Sequence, residues 1–136
     1  MGTWGSGIFE NDAAADWVYL LEKQRDLSLL DATLDEAIAF SDEILEVETA
    51  QQALAAAEVV ARLQGNWGVR NRYTEVADTW AEKMKLKPDA KLAKKAQVVI
   101  DRILTRSSEV LELWEENESS EAWQKALKEL KGRIKA

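Results

Sequence analysis

Apolar residues recur at helical spacing along nearly the whole chain, and no stretch alternates apolar and polar positions at period two. Ala13, Ala14, Trp17, Leu20, Leu21 and Gln24 share one face of a first helix, with Asn11 or Asp12 placed to cap it. Leu34, Ala37, Ile38, Ser41, Ile44 and Leu45 make a narrow stripe on a second. Its start is contested by two capping-box patterns, Ser28 to Asp31 and Thr33 to Glu36. A third such pattern, Thr49 to Gln52, opens a helix over Ala50 to Gln64 that is apolar nearly all round and so belongs in the centre. Gly65 is positioned to end it in a left-handed cap.

Tyr73, Val76, Ala77, Trp80 and Met84 mark a fourth helix, and Pro88 the start of the next. Ala96, Ile100, Ile103, Ser107, Val110 and Trp114 form one stripe, on one long helix or on two broken near Ser107-Ser108. After a turn at Asn117 to Ser120, the last helix buries Trp123, Leu127, Leu130 and Ile134. Lys125, Lys128, Lys131, Arg133 and Lys135 are expected to point outward. The pattern predicts a single all-α domain over residues 1–136, a compact bundle of six or seven helices.

The first seven residues hold three glycines and Trp4, followed by Ile8 and Phe9. Large apolar groups resist staying in water, so this Gly-rich segment is expected to be an arm packed onto the bundle. Gly65-Asn-Trp-Gly68 echoes Gly2-Thr-Trp-Gly5, as Gly-x-Trp-Gly.

Charge changes the picture. The net charge is −7, yet residues 1–65 carry 13 acids against 3 bases and residues 66–136 carry 12 acids against 15 bases. Nine acids and no base fall between Arg25 and Arg62. Such a field repels nucleic acid and attracts cationic surfaces. The basic run from Arg70 to Arg106 is interleaved with acids, which suits exposed helix faces better than a nucleic-acid footprint. The most apolar stretch, Ala53 to Ala61, is broken by Glu58 and too short to span a bilayer. The opening has no basic charge and no apolar run of signal-peptide length, so a cytoplasmic protein is expected. Cysteine and histidine are both absent, which removes disulfides, thiolate metal sites and the commonest general base.

Met1-Gly-Thr-Trp-Gly-Ser-Gly-Ile-Phe-Glu-Asn-Asp12, followed by Ala15-Asp-Trp17, resembles the opening of a bacterial family, domain of unknown function 4259. Ala53 to Ala61, Ser108 to Glu116 with its Leu-Trp-Glu-Glu, and Trp123 are also similar; Tyr19 and Lys23 depart from it. The resemblance implies a small helical bacterial domain and carries no activity.

Four groups of residues could carry chemistry. Asn11, Asp12 and Asp16 cluster at a helix start, where oxygens can hold a hard cation but also serve as ordinary caps. Glu58 is the one charge in the most apolar stretch and needs a partner or a raised pKa. It is expected to anchor the arm by accepting from backbone N–H groups or from the indole of Trp4 or Trp67. Trp4 and Trp67, both in glycine-containing loops, could pin that arm or line a pocket. The glycines of the arm do not match a phosphate loop. No catalytic set, metal site or cofactor is indicated.

The expected function is therefore a non-catalytic protein-binding module, immunity- or antitoxin-like. It would dock a basic protein through an acidic surface at Asp31, Asp35, Glu36, Asp42, Glu43 and Glu46. The alternative is a small-ligand or metal-binding protein, or an enzyme, with its site at the arm. A self-association module using the stripe from Ala96 to Trp114 is a third reading.

Overall fold

A computed structural model of the chain describes residues 7–39, 45–105 and 120–136. Trp4, Asp42, Glu43, Trp114, the first Gly-x-Trp-Gly copy and the Ser107-Ser108 junction lie outside the described residues. Within them run six helices: α1 (Asp12–Leu21), α2 (Ser28–Ile38), α3 (Val47–Leu63), α4 (Glu75–Met84), α5 (Ala90–Thr105) and α6 (Ser120–Arg133). They form an all-α bundle with no strand among the described residues.

α3 is the axis, in contact with all five other helices. Ala53 through Ala61 is buried without interruption. The alanines let neighbouring backbones approach closely, and larger groups from outside fill the spaces: Trp17 and Leu21 from α1, Leu30 and Leu34 from α2, Ile100 and Ile103 from α5. Trp123, Leu127, Leu130 and Ile134 are all buried, as their spacing predicts.

Polar groups tie the helices where apolar contact cannot. The Trp17 indole N–H donates to Thr33 Oγ1 at 2.8 Å, joining α1 to α2, and Thr33 donates back to the Leu29 carbonyl at 2.7 Å. The Trp80 indole donates to the Gln24 carbonyl at 3.0 Å, joining α4 to the α1–α2 connection.

Several helix boundaries differ from the sequence expectation. α2 starts at Ser28, the earlier of the two candidate positions, but without a side-chain cap; instead the Asp26 carboxylate accepts the Ser28 backbone N–H at 3.0 Å and also its hydroxyl. α3 begins at Val47, and Thr49 is buried inside it with no capping role. Fully buried Leu45 pulls the chain inward just ahead of that start, so tertiary burial outweighs the local cap pattern. Tyr73 precedes α4, and it and Val76 are exposed, as is Leu20 of α1. Among the described residues no helix is long and apolar enough to cross a membrane.

Candidate functional site

Glu58 lies on the central helix, where water is excluded, so its charge has to be met from within the protein. It is met by two arginines. Arg62, one turn along α3, places Nη2 3.1 Å from Glu58 Oε1. Arg133, at the end of α6, donates from Nη1 to Oε1 at 2.8 Å and from Nη2 to Oε2 at 3.0 Å. Of the donors expected for Glu58, Trp4 and residues 1–6 of the arm lie outside the described residues, and in place of Trp67 a guanidinium fork matches both carboxylate oxygens at once. Arg133 is also corrected: it turns inward instead of joining the outward-facing lysines.

The cluster extends to α4. Arg62 Nη1 is 2.9 Å from Asp78 Oδ1, an ionic contact poorly aligned for a hydrogen bond, and Nη2 donates to the Val69 carbonyl at 2.8 Å. Asp78 Oδ2 accepts from the Thr74 hydroxyl at 2.6 Å and faces Arg70 Nε at 3.4 Å. Glu58, Arg62 and Asp78 are each only 3% exposed. Burial works against the charged form of Arg133, yet the hydrogen bonds it donates to Glu58 and Glu129 outweigh it and hold the guanidinium pKa above its ordinary value.

The Gly65-Asn-Trp-Gly68 loop is the socket for this cluster. Gly65 adopts φ +85°, a left-handed conformation that closes α3 with bonds from Gly65 N to Arg62 O and Asn66 N to Ala61 O. Asn66 donates to the Arg133 carbonyl at 2.8 Å and accepts from Arg133 Nη1 at 3.1 Å. Trp67 carries Arg70 4.4 Å from its ring centroid and Arg62 at 5.7 Å. At Gly68 a Cβ would stand 2.7 Å from the Arg133 guanidinium carbon, so any larger residue would push that guanidinium off the position from which it meets Glu58.

A cleft of about 280 Å³ opens beside the cluster, bordered by Gly7 to Glu10, Glu58, Arg62, Val69, Asn71, Tyr73, Thr74 and α6. Glu58 lines it with both oxygens committed to arginine, which suits holding the fold together better than proton transfer. The remaining candidates do not converge on it. Asn11 caps α1, its Oδ1 accepting from Ala14 N at 2.8 Å and its Nδ2 donating to the Ile8 carbonyl at 3.1 Å. Asp12 and Asp16 are exposed on the outside of α1. No group of three or more carboxylates that could hold a metal is present among the described residues.

On α2, Asp31 and Asp35 share Lys95 of α5, at 2.6 and 2.8 Å. Those hydrogen bonds raise the Lys95 pKa above its ordinary value. Glu36 and Glu46 stand exposed. Of the cluster, Arg62 was legible as the i+4 partner of Glu58 on one helix face. Asp78, Arg70 and Arg133 carried no local signal.

No curated protein and no solved structure matches the chain. The family whose sequence model is described as Domain of unknown function (DUF4259) matches residues 2–126, taking in Glu58, Arg62 and Asp78 and stopping short of Arg133. A match over that much of its length means that the chain belongs to the DUF4259 family.

Proposed function

We propose that this chain is a non-catalytic protein-binding module of the bacterial cytoplasm, immunity- or antitoxin-like, that docks a basic partner through its acidic first half. The observation that carries the reading is where the acids go. Asp12, Asp16, Glu22, Asp26, Asp35, Glu36, Glu46 and Glu48 are exposed, while Lys23 and Arg25 are the exposed bases over the same described stretch. The acidity of this half is therefore presented to solvent, where it can steer a cationic protein into contact. The buried charges support the non-catalytic part. Glu58 and Asp78 are balanced by Arg62 and Arg133, and using either carboxylate in catalysis would break a buried ion pair.

A small ligand in the cleft beside Glu58 is the alternative reading. It requires Glu58 to give up Arg133 or Arg62, which would strand a charge inside the bundle. The test is capture from the native host on immobilised full-length chain, with elution by salt. A partner that leaves at high salt and is lost with Glu36→Lys/Glu46→Lys supports the reading. Recovery of no salt-sensitive partner sinks it.

A further inference from the structure

Most of the exposed large apolar side chains gather on one face. Tyr19 (66% exposed), Val69 (76%), Tyr73 (37%) and Val76 (39%) are four of the six such residues among those described. Tyr19, Tyr73 and Val76 line a second cleft of about 190 Å³ between α1 and α4. Phe9 and Tyr73 line both this cleft and the one beside Glu58, so the two adjoin. Scattered single apolar residues need no explanation, but aromatic and branched groups concentrated around adjoining clefts have the anatomy of a binding hot spot.

The charge at this face indicates what would fit. Three guanidinia line the two clefts: Arg62 is neutralised by Glu58 and Asp78 and Arg133 by Glu58 and Glu129, while exposed Arg72 stacks on Tyr73 and donates to its neutral hydroxyl, keeping its charge at the rim. Two carboxylates that line the clefts, Glu10 and Glu22, have no ionic or hydrogen-bonding partner among the described residues. The groups left to meet an incoming molecule are thus apolar side chains and, among the charges without an ionic partner, two carboxylates against the one guanidinium of Arg72. We propose that this face, built on Tyr19, Tyr73 and Val76 and edged by Glu10 and Glu22, is the anchor point for a partner segment bearing an apolar side chain flanked by lysine or arginine. The inference rests on the reading that the chain docks a basic protein. It moves the energetic centre from α2 to the α1–α4 side, since Asp31 and Asp35 already have Lys95.

The probe is an amphipathic helical peptide of leucine and lysine, with an analogue carrying glutamate for every lysine. Binding is followed by amide chemical shifts of the full-length chain at low salt. The expected result is shifts centred on Tyr19, Tyr73 and Val76 with the lysine peptide only. Tyr19→Ser and Val76→Ser, both at exposed positions and checked for unchanged melting, should each weaken it about tenfold. Glu10→Gln/Glu22→Gln should weaken it further and flatten its salt dependence. Shifts centred on Asp35, Glu36 and Glu46, with the serine variants binding as the parent does, would overturn this site and leave acidic docking standing. Absence of binding at low salt overturns both. A concentration-dependent dimer abolished by Tyr19→Ser would assign the face to a second copy of the chain and also overturn the proposal.

Discussion

Arg133 reaches back 75 positions to place Nη1 and Nη2 at 2.8 and 3.0 Å from the two carboxylate oxygens of Glu58. The last helix is thereby fastened to the central one at its C-terminal end, and the loop that follows α3 is fastened with it through Asn66. Breaking one member of a buried pair leaves the other charge stranded, which costs far more than the intact pair contributes.

Glu58→Gln should accordingly destabilise the protein by about 3 kcal/mol, since Arg62 and Arg133 would lose their common counter-charge. Urea unfolding gives the value. A loss below about 1 kcal/mol would mean that Asp78 and Glu129 suffice to hold the two arginines.

Gly68→Ala should cost roughly 1–3 kcal/mol, the usual range for overpacking, because its Cβ would stand 2.7 Å from the Arg133 guanidinium. In an Arg133→Ala background the same change should cost far less. A double-mutant cycle reads that coupling, and equal costs in both backgrounds would refute the account.

Thr33→Val preserves shape but removes the acceptor of the buried Trp17 indole. A loss of about 1–3 kcal/mol is expected from the orphaned N–H. Thermal melts of the variant are the check, and an unchanged midpoint would show that the indole finds another acceptor.

Lys95 supplies a pH dependence. Its hydrogen bonds to Asp31 and Asp35 raise its folded-state pKa, so the folded protein holds that proton more tightly than the unfolded chain does. The stabilisation is present in full below the ordinary lysine pKa and is lost as pH rises through the raised one. Comparing melting against alkaline pH for the parent and Lys95→Met should show a steeper decline in the parent. Parallel declines would count against the pairing.

Much of the fold was legible because helices announce themselves locally. The face of Trp123, Leu127, Leu130 and Ile134, the all-round apolar character of Ala53 to Ala61, and the left-handed turn at Gly65 each depend on residues within a few turns of one another. Asn11 as the cap of α1 was legible for the same reason. Patterns that looked equally local failed where burial competed with them: Thr49 fits a capping box, yet the inward pull at Leu45 starts α3 before it. The partners of charged groups lay beyond local reach. Glu58 announced its need for a counter-charge, but nothing near it in sequence distinguishes Arg133 from the lysines around it on α6. Lys95, 64 positions from Asp31, answers the acids of α2 in the same hidden way. Sequence by itself determined which surfaces must be buried, since hydrophobic periodicity is written turn by turn. Tertiary structure alone decided which charges meet, because an ion pair depends on where two distant segments come to lie, and that follows from the packing of the whole bundle.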